Sequence, residues 1–180
     1  TNGDKKRIVL FTTGRLLGTS DLLDLSPQAA YGIWDSDSVT PPVTLVDSAI
    51  TIDPITSGRL STVQPSVFDD GLNLGWRAIL PGSGERGYTD PTLAFGTFIF
   101  TTGLPTTSDA CNPTGFESWL YMLDYRSGGV VQIAGDANVS VSSLPFSGAA
   151  TRPNVVVLPS GAVKAITRVS GATLENQVVD

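Results

Sequence analysis

Apolar and polar residues alternate along this chain in short runs, and most runs end at glycine, proline or aspartate. "RIVLFTT" at Arg7–Thr13 stops at Gly14, and "AYGIWD" at Ala30–Asp35 runs into the turn-rich "DSDSVTPP". Val43–Asp53, "VTLVDSAITID", alternates as a half-buried strand does. "LGWRAILP" at Leu74–Pro81, the long apolar "TLAFGTFIFTT" at Thr92–Thr102 and Glu117–Asp124 read as further strands, with "GSGERGYTDP" as a loop between the first two. In "VVVLPSGAVKAI" a Pro-Ser-Gly turn separates two β-branched runs, so Asn154–Arg168 is expected to be a hairpin. No segment sustains a helical period. Only "RLLGTSDLLDLSPQA" offers a single helical turn, capped by Ser20 or Asp21. The pattern predicts an all-β fold of about ten short strands with little or no helix.

Composition narrows the picture. Of 180 residues 16% are charged and 41% hydrophobic, with 19 Gly and 12 Pro, which describes a compact, turn-rich β-protein with a real core. Net charge is −6 and the longest basic cluster is Lys5-Lys6-Arg7. Nucleic-acid binding needs a positive stripe to release counterions from phosphate, so that class is excluded. Histidine is absent. This removes imidazole-dependent nucleophile activation and histidine-ligated metal sites. The single cysteine, Cys111, cannot close an internal disulfide. It is either a free thiol or one half of a bridge to a cysteine outside this chain. No apolar run approaches the roughly 18–20 residues that span a bilayer. The opening "TNGDKKRIVLF" enters a strand directly, as a piece cut from a longer protein does.

Two motifs recur at one spacing. "FTTG" stands at Phe11–Gly14 and Phe100–Gly103, 89 residues apart. A strand closed by aspartate, "YGIWD" ending at Asp35 and "LYMLD" ending at Asp124, repeats at the same spacing. Aspartate after a strand bonds nearby amides, and the Gly128-Gly129 that follows supplies the positive φ of a tight turn. Strand–Asp–x–x–Ser–Gly–strand is the middle hairpin of many β-propeller blades. Blades run to roughly 40–50 residues. The spacing therefore fits two blades, or one carrying the long Val39–Gly71 insertion. The second is preferred because no third copy lies between. A β-sandwich is the alternative architecture.

The ordered set "FTTGRLL", "AAYGIWDS", "GWRAILPGSGERGYTDPTLAFGTFIFTTG", "LPTTSDACNPTGF" and "ESWLYMLDYRSGG" resembles the C-terminal β-propeller domain of the type IV pilus tip-associated adhesins, the PilC/PilY-type proteins. The match runs from about Arg7 to Gly129. The resemblance implies antiparallel four-stranded blades of a partial propeller, with residues 1–180 as the C-terminal part of that domain and 40–73 as a large loop insertion. It implies a non-enzymatic, extracellular protein at the pilus tip or outer-membrane surface of a Gram-negative bacterium. Its work would be pilus assembly, control of retraction and attachment. The implied partners are minor pilins of the tip complex and a host or abiotic surface receptor. Calcium, in this family, sits in an Asp-rich propeller loop. "DSD" at Asp35–Asp37 and "DDGLN" at Asp69–Asn73 lack its alternating oxygen ligands, so any calcium belongs to a missing upstream part. No cofactor is assigned to this chain. A quinone-dependent dehydrogenase of propeller type is the enzymatic alternative. It is disfavoured because no calcium–quinone ligand set is present.

No catalytic or metal-binding residue is assigned. Trp34, Trp76 and Trp119 could form an aromatic platform, but each lies in an apolar strand and is expected to pack between blades. Asp35 and Asp124 are expected to cap turns rather than act as an acid–base pair, since equivalent positions of different blades lie apart. Binding contacts are expected in the loops Leu104–Phe116 and Thr40–Asn73, without a choice of individual residues.

Overall fold

A computed structural model describes residues 7–35, 44–62, 64, 73–105, 115–131, 142–161, 163–170 and 175–179. Its strands are β1 (Arg7–Thr12), β2 (Ala29–Asp35), β3 (Leu45–Ser48), β4 (Ile50–Ile52), β5 (Arg59–Ser61), β6 (Gly75–Ile79) and β7 (Arg86–Gly87). They continue as β8 (Thr92–Ala94), β9 (Thr97–Pro105), β10 (Phe116–Asp124), β11 (Ser143–Ser147), β12 (Asn154–Val157), β13 (Val163–Thr167) and β14 (Glu175–Val179). The one helical element among the described residues is a 3-10 turn, Thr19–Leu23.

The strands form three stacked sheets and a small hairpin. The first sheet has the order β1-β2-β6-β3, antiparallel except for β3, which runs parallel to β6. The middle sheet has the order β11-β10-β9-β7, and β8 also pairs with β9. The third is β12-β13-β14, and β4-β5 stands apart as a hairpin. One core lies between the first and middle sheets, built on Trp76, Ala78, Phe98, Phe100, Trp119 and Tyr121. A second lies between the middle and third sheets, around Ile99, Leu120, Phe146 and Ala165. The middle sheet is therefore covered on both faces. That is why β9 is buried from Thr97 to Gly103 and reads as an unbroken apolar run rather than an alternating one.

The all-β, largely antiparallel class is the one the pattern predicts, and the hairpin at Asn154–Arg168 forms as β12–β13. The described residues stack sheets and do not close a ring. Three local expectations are corrected. The strand expected at Thr92–Thr102 breaks at Phe95-Gly96, with φ of 50° and 80°, and this two-residue turn folds β8 back onto β9. Phenylalanine is an unusual occupant of a left-handed position, so the turn carries no sequence signal. The strand expected at Val43–Asp53 divides into β3 and β4, which join different sheets. The 3-10 turn is capped at Gly18, with Ser20 inside it.

The repeat is real and its register differs between copies. Both copies are antiparallel hairpins in which the Phe of "FTTG" faces a Tyr: Phe11 opposite Tyr31, and Phe100 opposite Tyr121. The rings stack in each, at 5.0 Å and 4.8 Å between centroids. Tyr121 lies 90 residues after Tyr31, one more than the spacing of the first strand. Asp124 closes its turn as expected, its Oδ1 accepting from the amides of Arg126 (2.9 Å) and Ser127 (3.0 Å) and from the Ser127 hydroxyl. Asp35 instead faces Arg7 at 3.7 Å, and the residues after it lie outside the described set.

Candidate functional site

A concave feature among the described residues begins at β1. In β2, Trp34 donates its amide to Leu74 O of the β6 side (2.9 Å), and Leu80 donates to Gln28 O (2.9 Å). Backbone direction alternates along a strand, so the even members of β2 serve β6 and the odd members serve β1. Through the register Val9–Ile33 and Phe11–Tyr31, the odd residues of β1 face β2. Ile8, Leu10 and Thr12 therefore point their amides and carbonyls to the other side, where no described strand pairs with them. At Thr13 this edge meets β7, whose Gly87 amide donates to Thr13 O at 3.0 Å. The two backbones then diverge. A cleft of about 390 Å³ opens between them, walled by Leu10, Phe11, Leu16, Leu17, Tyr88 and Pro91 together with the polar Thr12, Arg15, Thr89 and Asp90.

The loop beside the cleft is held from within. Arg86 is 1% exposed, and its guanidinium donates to the carbonyls of Gly84 (2.9 Å), Arg15 (3.0 Å), Asp21 and Asp24. Buried Asp21 accepts from the amides of Leu17 (2.8 Å) and Gly18 (3.1 Å) and from Arg15 Nε (2.9 Å). With the loop's polar groups satisfied inward, its leucines turn out. Leu17 is 88% exposed, Leu23 76% and Leu25 62%. Tyr88, on the opposite wall, is fixed by a hydroxyl bond to Ala150 O and an edge contact with Phe116.

The Leu17 amide, followed by the Arg15 guanidinium, holds the Asp21 carboxyl below the usual carboxylate range. A depressed folded value stabilises the loop at every pH above the unfolded carboxylate value, about 4. That stabilisation is lost as pH falls through the lower folded value. Amide exchange of residues 16–23 is thus expected to stay slow from neutral pH to mild acid, relative to intrinsic rates, and to accelerate only below the ordinary Asp range. Loosening already at pH 6 would contradict this.

Beneath the loop runs a buried polar network that the sequence does not announce. Glu85 is 0% exposed. Its Oε2 accepts from Arg59 Nη2 (2.7 Å), Arg59 Nε (3.1 Å) and the Gly82 amide (3.1 Å). Its Oε1 accepts from the Tyr121 hydroxyl and the Thr102 hydroxyl, both at 2.8 Å. The Arg59 guanidinium lies 3.8 Å over the Trp119 ring. Burial, with the Glu85 charge adding to it, pushes the Tyr121 phenol well up, so it stays a donor at neutral pH.

The tryptophans lie as expected of packing groups. Trp76 (0% exposed) and Trp119 (2%) are core, and Trp34 is half-buried against the same core. Asp35 and Asp124 sit in different sheets. Residues 106–114, including Cys111, lie outside the described set, so the loop Leu104–Phe116 is seen only at its ends. The segment Thr40–Asn73 contributes β3, β4 and β5 and the buried Arg59. No group of three or more Cys, Asp or Glu suited to a metal occurs among the described residues. No described helix is long and apolar enough to cross a membrane. What this arrangement offers among the described residues is a cleft of mixed polar and apolar lining beside displayed leucines.

No family model matches the chain. It is 31% identical over 135 residues, 68% of its length, to a type IV pilus biogenesis factor PilY1 homolog of Xylella fastidiosa (strain Temecula1). The chain spans only 9% of that relative's length. The crystal structure of the Pseudomonas aeruginosa PilY1 C-terminal domain superposes with a TM-score of 0.64 at 22% identity, covering 94% of this chain and 41% of that one. The motif-level resemblance is thus borne out in both sequence and fold.

Proposed function

We propose that this chain, whose fold is that of a PilY1-type C-terminal domain, serves type IV pilus biogenesis as a non-enzymatic binding and assembly module. The observation that carries the reading is the agreement of a pilus biogenesis relative in sequence with a PilY1 domain in fold. In this reading the chain works outside the cell at the pilus tip, contacts minor pilins, opposes retraction and contributes to attachment to host or abiotic surfaces. Calcium control belongs to upstream residues of the longer protein. Support for a binding role comes from the acids described above. Glu85 and Asp21 are engaged as acceptors inside the fold, and the loop that Asp21 organises displays Leu17, Leu23 and Leu25 to the exterior.

The test is removal of this domain from the full-length protein in its own bacterium, with surface pili and attachment counted in retraction-competent and retraction-deficient strains. Surface pili are expected to fall sharply in the competent strain and to return when retraction is disabled. Normal piliation and attachment after the deletion would overturn the reading.

A further inference from the structure

Two residues other than glycine hold a positive φ among the described residues, Ser57 at 57° and Phe95 at 50°. A side chain in this left-handed region strains the backbone, and strain that persists is offset somewhere. For Ser57 the offset lies inside the fold. Its carbonyl accepts from Trp119 Nε1 at 2.9 Å and from Arg59 Nη1 at 3.2 Å. Phe95 has no such offset among the described residues. It is 74% exposed, belongs to neither core and stacks on no other ring there. An exposed phenylalanine alone is ordinary, but one held in a conformation that costs the fold is not. Asparagine, aspartate or glycine would suit the first place of the Phe95-Gly96 turn better. The turn is also rigidly mounted. Gly96 O accepts from the Tyr125 amide at 3.2 Å, and the Tyr125 ring lies against Gly96. Tyr125 packs on the first core, and its carbonyl accepts from Trp76 Nε1 at 2.9 Å. Phe95 thus stands at a hairpin tip tied to a buried tryptophan, with Leu93, 52% exposed, two residues before it.

We propose that Phe95 is the anchor by which this domain docks into an apolar pocket of another folded protein, with Leu93 at the pocket's margin. A ring whose place is preset loses little freedom on docking. A strained turn is therefore favourable where the partner's geometry is fixed, as in a folded protein's pocket. A lipid surface sets no such requirement. The two turns at this tip, Ala94–Thr97 and Asp124–Gly129, contain the charged residues Asp124 and Arg126. The Asp124 carboxyl is engaged by the amides of Arg126 and Ser127 and by the Ser127 hydroxyl. Arg126 is exposed. A basic rim gains nothing here, so the rim of the pocket is neutral or acidic. The inference deepens the assembly-module reading and rests on it for the partner's location at the pilus.

Phe95→Asn is the discriminating variant, because it is expected to help the fold and harm the docking. Thermal unfolding of the chain is expected to show a Tm raised by roughly 2 °C, since asparagine suits the left-handed position. Docking is read in the full-length protein in its own bacterium, with the photoreactive p-benzoylphenylalanine in place of Leu93. Irradiation is expected to join this position covalently to one other protein. Phe95→Asn is expected to reduce that product at least ~10-fold, and Phe95→Tyr, which keeps the ring, to retain it. A product formed within the protein itself, with a second copy of it or with lipid would overturn the proposal. So would no product at all, or one that Phe95→Asn leaves unchanged. A fall in Tm for Phe95→Asn would overturn it too, by showing that the ring serves the fold. These outcomes are separable from the domain deletion. A failed crosslink leaves a piliation defect standing, and normal piliation leaves a Phe95-dependent crosslink standing.

Discussion

Replacing Glu85 by glutamine is expected to cost the fold about 3–5 kcal/mol, the loss typical when one partner of a buried ion pair is neutralised. For a domain of this size that corresponds to a fall in Tm of roughly 10 °C or more. Shape is nearly unchanged, so the cost comes from polarity. All five groups facing the carboxylate are donors: two from Arg59, one each from Gly82, Tyr121 and Thr102. A glutamine can be seated only with its nitrogen toward the Thr102 and Tyr121 hydroxyls, which must then turn from donors to acceptors, and the Arg59 charge, 3% exposed, loses its counter-ion. Thermal unfolding of Glu85→Gln, Arg59→Met and the double variant measures the effect. Coupling between the two substitutions is expected to exceed about 1 kcal/mol. A loss below that for Glu85→Gln would show that the network can relax or admit water.

Trp76→Ala is expected to cost about 3–5 kcal/mol, as large aromatic truncations in cores do. The side chain is 0% exposed and holds the first sheet to the turn after β10. Its Nε1 donates to Tyr125 O at 2.9 Å, and Ser48 Oγ donates to Gly128 O at 2.7 Å beside it. Gly32 and Gly128 flank the indole so closely that a Cβ on either would overlap the ring. The slot is therefore specific to tryptophan, and collapse after truncation is limited. Trp76→Phe keeps most of the apolar volume and loses the hydrogen bond, at about 1 kcal/mol for the bond itself. Urea unfolding of the two variants separates these contributions. Equal losses would mean that the bond, not the packing, holds the sheets together.

What the sequence shows and hides follows from range. Strands with alternating patterns, such as β1, and the Asp124 turn depend on neighbours a few residues away and are legible. The repeat is legible too, but its register is not. A one-residue slip on the second strand keeps Phe opposite Tyr, and only the partner strand decides it. Glu85 sits in "GSGER", which reads as loop. Its burial depends on Arg59, Thr102 and Tyr121, 26, 17 and 36 residues away. No local pattern encodes such a meeting.

The stacked Phe100–Tyr121 pair lies in the middle sheet on the face that receives the first sheet, and both residues are 0% exposed. Its counterpart, Phe11–Tyr31, lies on the first sheet's far face beside Val9 (55% exposed) and Ile79 (44%). The coupling by which one sheet takes on its neighbour is thus made twice in this chain, and among the described residues it is mated once. Two of the three layers, the first and the middle sheet, carry the same pair on the same side, as units of a linear polymer do. Extending the stack by another layer would call for more of a contact the chain already makes.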